Sequence, residues 1–173
     1  MSEHIISRRV DDLAQAKVAL VMGSNSDWPI MKLAAQVFEQ FAIPYYAQVV
    51  SAHRMPVQMV EFAHAASECH LAGIVAGAGG AAHLPGMLAA LTEIPVFGVP
   101  IPTRHMQGED SLWSIVQMPK GVPVATFAIG EAGAINAALH VVANLAVHDE
   151  SLRQAWVQYR QEQTAAAAAM RLE

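Results

Sequence analysis

Short apolar, β-branched runs alternate along the chain with longer stretches in which apolar positions recur every three or four residues. Lys17–Met22 (KVALVM) reads as a buried strand that ends in the loop Gly23-Ser24-Asn25-Ser26-Asp27. Asp27 is placed to cap the helix that follows, and Pro29 suits its first turn. Along that helix Ile30, Leu33, Ala34, Val37, Phe38 and Phe41 fall on one face. Tyr45–Val50 reads as a second strand, leading into Ser51-Ala52-His53-Arg54-Met55-Pro56 and a helix to about Cys69. A third strand is expected over Leu71–Ala76, before a Gly/Ala-rich loop from Gly77 to Gly86 and a short helix. Val96–Val99 and Val124–Ile129 read as the fourth and fifth strands. Helices over Glu131–Val147 and from Ser151 to about Thr164 close the chain.

This order predicts an α/β fold: a flavodoxin-like three-layer α/β/α sandwich with a five-stranded parallel sheet and an extra C-terminal helix. Residues 17–164 are expected to form a single domain, with 1–16 an N-terminal extension and the Ala-rich 165–173 a disordered tail. Ligands of such sheets bind at the carboxyl ends of strands, near a switch in strand order. The unusual loops here all follow strands, so they can meet at that edge. The last helix carries an apolar side (Leu152, Ala155, Trp156, Tyr159) after the sheet is complete, and is expected to pack on another subunit.

Composition sharpens this picture. Only 14% of residues are charged, against roughly 25% in an average soluble protein, while 54% are hydrophobic. No apolar run reaches the roughly 20 residues of a membrane span, which points to a homo-oligomer that buries surface against its own copies. The net charge is −5 and no basic cluster exceeds Arg8-Arg9, which argues against a nucleic-acid partner. The single Cys69 leaves no internal disulfide, and no apolar signal core follows the N-terminus, so the expected compartment is the cytoplasm.

Candidate chemistry lies on the post-strand loops. The small residues of Gly23–Asp27 let backbone N–H groups approach a phosphate at a helix start, and they equally suit an ordinary capped turn. Gly77-Ala78-Gly79-Gly80-Ala81-Ala82 matches G-x-G-x-x-A, yet the next strand, VFGVP, lacks the acid a dinucleotide site requires. A smaller phosphorylated ligand, or close packing of glycines, remains open. None of the histidines, 4, 53, 64, 70, 83, 105, 140 and 148, forms an H-E-x-x-H pair or Cys/His cluster, so no metal is expected. His64, His70, His140 and His148 fall in helical stretches and read as surface or interface residues. His53 and His83 lie on post-strand loops, where an imidazole is placed for acid/base work. Ser51 and Arg54 flank His53 with a hydroxyl and a fixed cation, a grouping suited to a phosphorylated or carboxylated substrate. Cys69 has no evident base partner and reads as core.

The segments VMGSNSD (21–27), SAHRMP (51–56), AGAGGAAHLPGM (76–87) and DSLWSIVQMPKGVPVATFAIG (110–130), in this order and spacing, resemble one family. It is the catalytic subunit family of phosphoribosylaminoimidazole carboxylase, whose bacterial branch consists of N5-carboxyaminoimidazole ribonucleotide mutases. The resemblance runs from about Lys17 to Tyr159. It implies a homo-octamer with sites between subunits, and a reaction that turns N5-carboxyaminoimidazole ribonucleotide into its 4-carboxy isomer in purine biosynthesis. It also implies decarboxylation and recarboxylation with His53 as general acid/base and no cofactor. Ser24 and Asp27 would hold the ribose-phosphate and aminoimidazole parts, Arg54 would pair with the phosphate, and Ser51 and Gly23 would line the pocket. The Gly77–Leu84 loop, through Ala78, Gly79 and Leu84, would cover the reacting carboxylate. The chain departs from the family at Met55, where Thr is usual, so any hydrogen bond from that hydroxyl is lost. SAHR with the Gly/Ala loop matches the mutase branch; the other branch has SAHK and takes up free CO2. The competing readings are that carboxylase and a non-catalytic flavodoxin-like module holding FMN or a phosphorylated effector.

Overall fold

The structure, a computed structural model, describes residues 9–172. Six strands form one parallel sheet: β1 (Arg9–Val10), β2 (Val18–Met22), β3 (Tyr45–Val49), β4 (Ile74–Gly79), β5 (Val96–Ile101) and β6 (Ala125–Thr126), in the order β1-β3-β2-β4-β5-β6. The helices are α1 (Trp28–Gln40), α2 (Pro56–Glu68), α3 (Leu84–Ala89), α4 (Glu109–Val116), α5 (Glu131–Ala146) and α6 (Glu150–Ala169).

The central strands are continuous apolar runs because both sheet faces are covered. Along β2, Val18, Leu20 and Met22 enter the core beneath α1 and α5, while Ala19 and Val21 enter the opposite core with Met59 and Phe62 of α2, Leu84 and Leu88 of α3 and Ile115 of α4. This is the strand's two-residue period read in three dimensions. Phe38 of α1 is fully buried on the first face, where truncation to Ala would cost about 3–5 kcal/mol.

Several elements differ from the sequence expectation. The sheet has six strands, not five, because Arg9–Val10 adds beside Tyr45–Tyr46 at the edge; part of the supposed extension is therefore sheet, and residues 1–8, including His4 and Arg8, lie outside the described residues. Leu13–Gln15 forms a single 3₁₀ turn capped by Asp12. The third strand begins later and runs into the glycine loop, since Gly77 pairs in the ladder with no side chain to displace: a Cβ there would stand 2.4 Å from Met31 Sδ. The last strand shrinks to Ala125–Thr126. Helix α4 has no counterpart in the expected elements.

The Ala-rich segment expected to be disordered from 165 continues α6 to Ala169, as Ala has the highest helix propensity. Residue 173 lies outside the described residues. The apolar side of α6 packs on its own chain: Trp156 and Tyr159 meet Phe41 with ring centroids 6.2 and 5.6 Å apart. No helix among the described residues is long and apolar enough to cross a membrane.

The chain leaves β2 through α1 to β3 on one side, then crosses through α2 to β4 on the other. The strand order therefore switches between β2 and β4, and the loops that leave their carboxyl ends diverge over opposite faces. A crevice opens there.

Candidate active site

The crevice has a volume of about 570 Å³ and is built from the loops that follow β2, β3, β4 and β5. It gathers Gly23, Ser24 and Asp27 from the first loop, Ser51, His53 and Arg54 from the second, and Ala78, Gly79 and Leu84 from the third. Every site residue expected from the sequence thus lines one cleft. Ser26, His83, Thr103 and Arg104 line it as well.

The first loop is shaped by its own polar groups. Ser24 caps a 3₁₀ turn over Asn25–Asp27, its Oγ accepting from Ser26 N at 3.3 Å, while Asp27 Oδ2 accepts from Ser24 N at 3.2 Å. These reciprocal bonds make a capping box. Asp27 was expected to cap α1 directly; its carboxylate instead turns back to this box, and Pro29 supplies the donor-free first turn of α1. Ser26 Oγ donates to Asp27 Oδ1 at 3.2 Å. Asp27 is buried, which pushes its pKa up from the ordinary 3.8; bonds from Ser26, Ser24 and Gly23 and the nearby Arg54 charge oppose that rise. This buried carboxylate lines the crevice at the start of α1, where it can accept from a hydrogen-bonding group.

The second loop holds the cation and the imidazole. Arg54 Nε donates to the buried Ser51 Oγ at 2.9 Å, and Arg54 Nη2 donates to Gly23 O at 2.9 Å. The guanidinium thus ties the ends of β2 and β3 together, and its remaining N–H groups are free to meet an anion at the first loop. Ser51 is an orienting group for Arg54 as well as a lining residue. The neighbouring Met55 precedes α2 without a side-chain cap. That is the consequence of a residue with no hydroxyl at this position.

His53 stands opposite the third loop. Its Nε2 lies 2.8 Å from His83 Nδ1, and the two rings meet edge to face with centroids 4.9 Å apart. One nitrogen of the contact must carry the hydrogen and the other must present its lone pair. His53 therefore has a partner that can share its proton, on a segment thirty residues away. The crevice beside the rings is lined by small and apolar residues: Ala78, Gly79, Ala81 and Leu84, of which Ala78 and Leu84 are buried, and Gly79 packs close to Ile101.

Residue placement after strands was the signal that found His53, Arg54 and the glycine loop. The same signal applied to the loop after β5 would have found Thr103 and Arg104, which sequence reasoning passed over. Among the described residues no group of three His, Cys, Asp or Glu side chains is arranged to hold a metal ion.

Comparison with known proteins bears on this geometry. Residues 17–166 match the family model described as AIR carboxylase. The chain is 55% identical over 148 residues to an N5-carboxyaminoimidazole ribonucleotide mutase of Vibrio vulnificus (strain CMCP6), which covers 86% of this chain and 92% of that protein. It is 54% identical over 149 residues to the protein of the same name from Escherichia coli (strain K12), with 86% and 88% covered. The solved structure of Treponema denticola PurE superposes with a TM-score of 0.79 at 21% identity, covering 87% of this chain and 93% of the other, a likeness of fold.

Proposed function

This chain belongs to the AIR carboxylase family, and from that premise we propose that it is a mutase of purine biosynthesis, converting N5-carboxyaminoimidazole ribonucleotide to the 4-carboxy isomer. The observation that carries this reading is the meeting, in one crevice, of a partnered imidazole, an anion-facing guanidinium and a small apolar floor.

The substrate carries CO2 as a carbamate on its exocyclic nitrogen. His53 gives a proton to that nitrogen as the carbon–nitrogen bond breaks, which leaves aminoimidazole ribonucleotide and CO2. The enamine-like carbon 4 attacks the CO2, and His53 takes the proton from carbon 4 as aromaticity returns. The proton lent in the first step is recovered in the last, so the reaction is a net isomerisation. Imidazole is the side chain suited to both tasks near neutral pH. Arg54 and the Ser24–Asp27 loop hold the ribonucleotide, with charge-assisted bonds to phosphate. The Ala78–Gly79 floor and Leu84 hold the CO2 against escape, so recapture is effectively unimolecular. The enzyme works in the cytoplasm as a homo-octamer with sites between subunits, a state suited to a surface with few charges.

The test supplies carbamate substrate labelled at its carboxyl carbon in buffer containing unlabelled bicarbonate. Delivery of most of the label to carbon 4 is expected. Extensive dilution, with faster turnover of aminoimidazole ribonucleotide as bicarbonate rises, would instead identify a carboxylase that draws on free CO2.

A further inference from the structure

The carboxyl ends of β4 and β5 part company in an unusual way. Ile74, paired with Val96, donates its N–H to Pro95 O at 2.9 Å. A parallel ladder repeats that step every second residue. Gly80, one position beyond the Gly79–Ile101 pair, is therefore due to donate to Ile101 O. It does not. Gly80 N donates to Ser111 Oγ at 2.9 Å, and Ser111 Oγ donates to Ile101 O at 2.7 Å. One hydroxyl from α4 occupies the rung.

The neighbouring groups fasten the same point. Ser114 Oγ donates to Asp110 O at 2.7 Å and lies 3.1 Å from Gly80 O, so its one hydrogen is shared between the helix backbone and Gly80. Thr103 Oγ1 donates to Asp110 Oδ1 at 2.9 Å and ties the loop leaving β5 to the same helix. Gly80 sits at φ +67°, a conformation open to glycine, so the loop turns away from the sheet where the hydroxyl enters. Ser111 is fully buried, where a hydroxyl is costly unless its bonds are made. Two hydrogen bonds in series through one hydroxyl thus stand where a single direct rung would close the strand ends. Gly79 and Ile101, the last ladder pair before the hydroxyl enters, line the crevice.

We propose that Ser111 is a positioning residue for the carboxyl transfer: its buried hydroxyl wedges the ends of β4 and β5 apart and sets the width of the floor on which the CO2 is held. The proposal rests on the mutase reading of the crevice. Without the wedge, Gly80 N–H and Ile101 O are free to close into a direct rung, which moves Gly79 and distorts the CO2 space.

The experiment compares the wild type, Ser111→Ala and Ser111→Thr, with labelled carbamate as substrate, and reads the ratio of label delivered to carbon 4 to label released. Folding of each variant is checked by thermal melting. Ser111→Ala is expected to lower the ratio roughly tenfold or more, because small misplacements of reacting groups are costly. Ser111→Thr, which keeps the hydroxyl, is expected to restore most of it. A folded Ser111→Ala that partitions label like the wild type overturns the proposal, as does an equal loss in both variants. Should Ser111→Ala fail to fold, Ser111→Cys decides: a bulkier, weaker hydrogen-bonding group in the rung alters the width, so a lowered ratio supports the wedge and a wild-type ratio overturns it. A wild-type protein that draws its carboxyl from bicarbonate would overturn the mutase reading itself, and that result appears before any variant is compared.

Discussion

Two of the hollows among the described residues are built in opposite ways. One, of about 810 Å³, lies between α5, α6 and Phe127 and is lined by Leu139, His140, Trp156, Tyr159 and Arg160. The other is the crevice at the strand ends, smaller at about 570 Å³. The larger hollow is a gap between convex helices whose aromatic side chains are already engaged with one another: His140 meets Phe127 at 5.6 Å, and Trp156 stacks on Tyr159 at 5.7 Å. The crevice is framed by loop backbones, with an imidazole, a guanidinium, a carboxylate and hydroxyls brought in from separate strands. Volume measures how badly two surfaces fit. Chemistry needs polar groups that converge on one point from independent supports, and of these two the crevice has them.

Each hollow contains a histidine, which allows the contrast to be tested directly. His53→Asn is expected to lower turnover by about 100- to 10,000-fold, the usual contribution of a general acid/base, while calorimetry still detects ribonucleotide binding. His140→Asn should change turnover less than about tenfold on the same scale, since imidazole as such has no proton to move there. Steady-state rates of the two variants decide the matter: near-normal activity without the His53 imidazole would remove it from the mechanism.

A smaller effect is expected from the larger hollow, and in stability. Trp156→Ala removes the ring that meets Phe41, Tyr159 and the Arg160 guanidinium, so α6 loses much of its hold on α1. The melting midpoint should fall by a few degrees, in keeping with about 1–2 kcal/mol for a half-buried aromatic contact. Light scattering on both proteins tests whether the proposed homo-octamer forms and whether its mass falls with the midpoint. An unchanged midpoint would mean that the packing of α6 contributes little.

The smallest effect is a matter of sign, at Asp27 in the crevice. Its pKa is raised chiefly by burial, so ionising it costs the fold. Its contribution to stability is most favourable below the ordinary carboxylate pKa of 3.8 and is lost as pH rises through the raised value. Asp27→Asn keeps an oxygen for Ser24 N–H without the charge. It should therefore melt higher than the wild type near neutral pH, with the difference shrinking in acid, while binding the ribonucleotide more weakly. A variant that melts lower at neutral pH and recovers in acid would show that the carboxylate stabilises the loop instead. Stability given up at one buried carboxylate is what a binding site asks of its scaffold.

What the sequence could determine is what neighbours along the chain decide. A strand buried on both faces must be continuously apolar, so β2 and β3 were legible, and with them the loops that begin at Gly23 and Ser51. The six-fold strand count was not, because Arg9–Val10 is a strand only by virtue of the open edge of β3 beside it. Helix α4 escaped because its buried face includes Ser111, a polar residue whose reason for burial is a gap between two strands well before it in the chain. The crevice divides the same way. Ser24, Asp27, Ser51, His53 and Arg54 could be picked out one loop at a time, since each follows a strand. The His53–His83 contact and the hold of Arg54 on Gly23 could not. Local sequence sets which backbone turns and which side chains each loop offers. Which loops face each other depends on the strand order, and that order is settled by packing whole sheet faces against helices, a global sum that no single segment carries.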